Sequence, residues 1–305
     1  MLLTTARDLN EDSLFCLKMK QNLDILKTAI KFAYRIRKMK TININNAEGV
    51  RFLLFPDNQP HVNVEGIEGR DEVKVVCSLN NSLVLLHLLQ TANALGHLNA
   101  RKKVLVIPYL MAARYDRLMV PGDSFDLEVV AQLINSCGFE KVLLLDAHSE
   151  VAVKLINNSV SIKNRQMVES YTMEDAILIC PDSGAAKKIA EYQGWNNKLK
   201  EIVYCNKKRE LSTGRISLEV TEPERCLNRN CVIIDDICDG GGTFLAIADQ
   251  IKPRHLTLIV THGIFSKGFA TLEQKFNEII VSDSYGKVYN SRIVKTIKAK
   301  IPEQV

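Results

Sequence analysis

The chain has 305 residues, 46% apolar and 25% charged, which is the balance of a globular protein with room for one large or two ordinary domains. No apolar run reaches the ~18–20 residues of a membrane span, and acidic residues interrupt the first positions where a secretory signal would carry its apolar core. The formal charge of +5 is local: residues 1–40 hold nine of the 40 Lys/Arg and four of the 35 Asp/Glu, and the remaining 31 of each sign cancel, which excludes a basic excess spread over a nucleic-acid-binding face.

Within 13–37, Leu23, Leu26, Ile30 and Ala33 fall at helical spacing, with Lys20, Lys27, Lys31 and Arg35 between them. This pattern predicts a basic amphipathic helix in an N-terminal extension of residues 1–40. "NINNAEG" (43–49) reads as a turn or linker, and "FPDNQP" (55–60) as a surface turn. Short apolar runs rich in β-branched residues then alternate with helix-like segments. They predict strands at 73–78, 103–108, 141–146, 176–180, 201–205, 231–235, 256–260 and 278–282. Most of these are apolar on both faces, as strands of a parallel sheet covered by helices should be. The fold class is therefore α/β, with mainly parallel sheets flanked by helices. A break near 157–170 divides the chain into expected domains at 41–164 and 165–305. The eight cysteines are scattered without a CxxC pair, and read as reduced thiols of a cytoplasmic protein.

Ligands of open α/β sheets bind at the carboxyl ends of strands. The run "VIIDDICDGGGT" puts Asp235, Asp236 and Asp239 beside Gly240, Gly241, Gly242 and Thr243 at such an end. Amides of a glycine-rich turn, with the helix start after it, suit a phosphate, and the carboxylates suit sugar hydroxyls. "LLLDAHS" places Asp146 and His148 two residues apart, on the same side of an extended chain. Asp182 follows the strand 176–180, and together with His148 it suits a hard divalent cation already carrying phosphate oxygens. Lys207 and Arg209 precede a polar stretch (211–230) built like a flexible lid. Arg114, Asp116 and Arg117 lie beyond strand 103–108 in a segment too polar for core.

"VIIDDICDGGGT" resembles the phosphoribosyl-diphosphate motif of type I phosphoribosyltransferases. The other segments follow the order of the ribose-phosphate diphosphokinases, or PRPP synthetases, which are built from two such domains. The family's FPDGE reads FPDNQ (55–59), ARQDR reads ARYDR (113–117) and DLH reads DAH (146–148). PDxGGAK reads PDSGAAK (181–187), KxR is Lys207-Lys208-Arg209, and THGxFS is THGIFS (261–266). Gln59, Tyr115 and Gly240 stand where the family has Glu, Gln and Thr.

The resemblance implies two phosphoribosyltransferase-like domains acting on ATP and ribose 5-phosphate with Mg²⁺, in a cytoplasmic dimer or hexamer without nucleic acid or membrane. It implies an ATP site from Phe55, Asp57, Gln59, Arg114, Tyr115, Asp116 and His148. Metal contacts would come from His148 and Asp182, and catalytic groups would be Lys207, Arg209 and His148. The ribose-phosphate site would comprise Asp235, Asp236, Asp239, Gly240, Gly241, Gly242 and Thr243. Space left at Gly240 would admit a 5′-extended acceptor such as ADP-ribose, and a non-catalytic regulatory subunit is the reading from another class.

Overall fold

A computed structural model describes residues 39–181, 186–209 and 216–299. The helix expected at 13–37 lies outside them. The first sheet consists of β1 (Lys40–Asn43), β4 (Glu72–Val76), β5 (Lys102–Ile107), β6 (Lys141–Leu145) and β7 (Ser159–Ile162), parallel and in that order. A hairpin of β2 (Val50–Leu54) and β3 (Pro60–Val64) is inserted between β1 and β4, with "FPDNQ" as its turn. In β5, Leu105 and Ile107 enter a core with Ile42, Val73, Val75 and Leu144, completed by α1 (Ser82–His97), α2 (Asp126–Ser136) and α3 (Glu150–Leu155). Val104 and Val106 face the opposite way, into a smaller cluster with Met39, Leu143 and Ile162. Each fully buried aliphatic side chain is worth about 1.5–3 kcal/mol, so burying both faces stabilises this strand between its neighbours.

The second sheet follows α4 (Arg165–Glu169). It contains β8 (Ile177–Cys180), β9 (Glu201–Arg209), β10 (Ile216–Val220), β11 (Asn230–Cys238), β12 (His255–Gly263), β13 (Glu278–Ser282) and β14 (Val294–Ile297). Their order is β10-β9-β8-β11-β12-β13-β14, and among the described residues only β10–β9 is antiparallel. Two helices, α5 (Ala186–Trp195) and α6 (Gly242–Ala248), follow β8 and β11.

Three expectations change. From residue 216 on, the expected loop contains regular structure: Ile216–Val220 pair with Cys205–Arg209, and Pro223–Cys226 form a 3-10 turn. Leu218 and Val220 alternate with polar residues and pack on the sheet, which holds this ribbon down. The break at 157–170 contains β7 and α4. Six strands beyond the eight expected occur among the described residues: β1, β7, β10 and β14 at sheet edges, and β2–β3 as the hairpin. Edge strands such as "SVSI" need only one buried side, so no continuous apolar run marks them.

The sheets meet at a buried polar seam. Thr261 Oγ1 donates to Asp146 Oδ2 at 2.5 Å, and His262 Nδ1 lies 2.8 Å from Ser284 Oγ. Ser78 Oγ donates to the Ser284 carbonyl, Asn80 Nδ2 donates to the Tyr285 carbonyl at 3.1 Å, and the Tyr109 ring meets His262 edge-on. Thr261→Val removes the donor to a buried carboxylate without changing shape. It is expected to cost about 1–3 kcal/mol, read as a lower urea midpoint at unchanged m. An unchanged midpoint would show that the seam does not depend on this bond.

Candidate active site

The site grows from the central strand. In "NCVIIDDIC", Cys231 and Ile233 enter one core, and Val232 and Ile234 the other. The strand runs to Cys238, so Asp235 and Asp236 lie within β11 rather than at its end, where the expected strand 231–235 put them. The added length comes from β12, whose Val260, His262 and Gly263 pair with Asp235, Ile237 and Cys238.

Beyond β11 the chain turns at Gly241, whose φ of +76° lies in the left-handed region that favours glycine. A Cβ on Gly242 would meet nothing within 4 Å, so the backbone there faces open space. The turn lines a cavity of about 700 Å³ with Asp235, Asp236, Asp239, Gly240, Gly241, Gly242 and Thr243, together with Arg114, His148 and Lys188. All the residues expected to hold a ribose phosphate therefore share one cavity.

Two contacts cross to it from the first sheet. His148 Nδ1 lies 2.5 Å from Asp236 Oδ2, and Arg114 Nη2 donates to Asp239 Oδ2 at 2.8 Å. Their separations of 88 and 125 residues show why spacing alone could not reveal them. Lys188 Nζ stands 3.8 Å from Asp236 Oδ1. This lysine went unnoticed in the sequence, although it directly follows the PDSGAAK segment.

The electrostatics separate the adjacent aspartates. Burial, then the Asp236 charge, raises the Asp235 carboxyl well above the usual range. Burial would raise Asp236 too, but hydrogen bonds from His148 and Asp235, with the Lys188 charge, hold it below that range. The Asp236 hydrogen bond in turn raises the His148 imidazole. Hydrogen bonds from Ser266 and Arg114 lower Asp239. At the seam, burial pushes Asp146 up to about 6 and brings His262 down to about 4.

Asp146 and His148 do not share one side of an extended strand. β6 ends at Leu145, and Asp146 turns with φ +44°. Asp146 then serves the seam through Thr261, while His148 serves the cavity. Among the residues expected for ATP, Arg114 and His148 line the cavity, whereas Phe55, Asp57 and Gln59 do not. These three shape the hairpin turn: the Phe55 amide donates to the Gln59 carbonyl, and Asp57 Oδ1 accepts from the Gln59 amide. Asp116 is buried against Arg117, which lowers its carboxyl, and Tyr115 is exposed beside it. Lys207 and Arg209 fall on the end of β9, but their side chains, like the whole of Asp182, lie outside the described residues.

The chemistry fits a divalent cation carried mainly by its ligand's phosphates. Among the described residues no three His, Cys, Asp or Glu side chains converge to hold a metal. Mg²⁺ commonly takes one or two protein groups and keeps phosphate and water oxygens. His148 has one ring nitrogen fixed by a carboxylate, the arrangement that aims the other nitrogen of a metal-binding histidine.

No protein-family model matches the chain. A phosphoribosylpyrophosphate synthetase from Mycobacterium smegmatis superposes with a TM-score of 0.69 at 19% identity, over 82% of this chain and 85% of its own. The fold is thus that of an α/β protein of two phosphoribosyltransferase-like halves. The ribose-phosphate pyrophosphokinase of Mycoplasma pneumoniae is 27% identical over 241 residues, 74% of this chain and 72% of that protein. That of Agrobacterium fabrum is 26% identical over 283 residues, 87% and 89% of the respective chains. The chain is thus similar, at low identity, to ribose-phosphate pyrophosphokinases (PRPP synthetases), and it is an enzyme.

Proposed function

We propose that the chain is a ribose-phosphate diphosphokinase, transferring the β,γ-diphosphoryl group of Mg-ATP to the anomeric hydroxyl of ribose 5-phosphate. The hydroxyl oxygen bonds to the β-phosphorus, the bond from that phosphorus to the α,β-bridging oxygen breaks, and AMP leaves with that oxygen. The supporting observation is the His148–Asp236 contact, which brings the nucleotide-side histidine onto the strand beside the glycine turn. Asp235 and Asp236 accept from the ribose hydroxyls, and amides of Gly240 to Thr243 surround the 5′-phosphate. His148, oriented by Asp236, and Asp182 would hold the cation, which when bound screens the charge of the transferring phosphates. Arg114, Tyr115 and Asp116, with Phe55, Asp57 and Gln59 on the hairpin, belong to nucleotide binding in this reading. Lys207 and Arg209 oppose charge on the transferring group.

We assign the ATP side to a domain of residues 41–164 and the ribose-phosphate side to one of residues 165–305, in a homo-oligomer of dimeric or hexameric type. No helix among the described residues is long and apolar enough to cross a membrane. Ribose 5-phosphate is favoured over ADP-ribose because the Lys267 side chain occupies the space beside Gly240. The test measures AMP release from ATP and Mg²⁺ with ribose 5-phosphate, and separately with ADP-ribose. AMP formed with ribose 5-phosphate supports the proposal. Turnover of ADP-ribose alone reassigns the acceptor, and no turnover of either by folded protein leaves the non-catalytic subunit.

A further inference from the structure

Gly241 needs its left-handed φ and Gly242 faces open space, but Gly240 has neither feature. Its φ lies outside the left-handed region, so its conformation is open to any residue. Close packing explains it: a Cβ there would stand 3.3 Å from both Cδ and Cε of Lys267. The lysine stem fills the space that a side chain at 240 would take, which corrects the expectation of a void.

The lysine is held there by backbone. The Ile264 and Phe265 amides donate to the Cys238 carbonyl at 2.8 and 3.2 Å, and the Ser266 amide donates to the Asp239 carbonyl at 3.2 Å. The turn after β12 is thereby stitched to the turn after β11, and Phe265 is buried beneath it. The Lys267 ammonium, one bond past Cε, acts on the Asp239 carboxylate through its charge. The two cations that line the cavity are committed, Arg114 to Asp239 and Lys188 to Asp236, and Lys267 stands next to the lining residues Gly240 and Asp239. Lys267 makes no hydrogen bond or ion pair with the described residues.

We propose that Lys267 determines acceptor specificity, its ammonium binding the terminal phosphate monoester on C5 of the ribose from the rim of the glycine turn. This rests on the acceptor reading given above. A terminal monoester carries nearly two negative charges at neutral pH, whereas each phosphorus of a diphosphate linkage carries one, so a point cation favours the monoester.

Calorimetric titration of ribose 5-phosphate into the full-length protein, wild type, Lys267→Met and Lys267→Arg, tests this, alongside steady-state AMP release. Methionine keeps an unbranched stem over Gly240 and removes the charge. Lys267→Met is expected to weaken ribose 5-phosphate binding roughly 10- to 100-fold and to raise its KM similarly, with the KM for ATP unchanged. Lys267→Arg is expected to recover most of the loss. Lys267→Met affinity within about two-fold of wild type overturns the proposal, even where AMP release continues. Weakened binding in a protein that releases no AMP leaves Lys267 as the phosphate ligand and removes the diphosphokinase reading. No binding of ribose 5-phosphate to wild type removes both.

Discussion

Asp236→Asn is expected to lower kcat/KM for ribose 5-phosphate by about 10²-fold while the protein stays folded. Asp236 holds His148 at 2.5 Å and faces Lys188 at 3.8 Å, so its charge serves both neighbours. Asparagine keeps the shape but cannot accept on both sides as a carboxylate does. The loss should follow kcat as well as KM, since a misdirected His148 harms the transition state beyond ground-state binding. AMP-release kinetics with a circular-dichroism melt check this. Full activity in the folded variant would mean that the His148–Asp236 contact serves cohesion rather than chemistry.

Lys207→Ala and Arg209→Ala are each expected to lower kcat by about 10²–10³, near 3 kcal/mol, with little change in the KM for ATP. Charge that develops on a transferring phosphoryl group is best met by donors already in place. The register puts Arg209 opposite Ile216 and Lys207 opposite Leu218, so this segment is one side of a paired ribbon. Motion of the pair would then be bending of a sheet edge. Near-normal kcat in both variants would remove them from the transfer step.

The sequence shows the site's parts better than their assembly. Runs such as "ILIC" and "VIID" are readable as buried strands because both faces are apolar, and three consecutive glycines beside carboxylates mark a close approach. Those signals are local. Which strand ends face each other is set by sheet order, so the pairings of His148 with Asp236 and Arg114 with Asp239 had no counterpart in motif spacing. Lys188 and Lys267 escaped notice because a lysine in a helix or turn is usually a solvated charge. The seam was hidden because THGIFS lies beyond the expected strand 256–260, while its Thr261 and His262 are buried against Asp146 and Ser284.

Arg114 and Asp239 have a consequence for the order in which substrates arrive. A nucleotide that draws the guanidinium to its own phosphates must break the 2.8 Å pair, leaving Asp239 to Ser266 and to the charge of Lys267. The acceptor then meets a cleft electrically different from the empty one. On the nucleotide role proposed for Arg114, the two substrates would not add independently, and the factor by which one alters the other's affinity would hold in both directions. That factor is open to measurement by titrating ribose 5-phosphate against fixed levels of a non-hydrolysable ATP analogue, and Arg114→Met should move it towards unity.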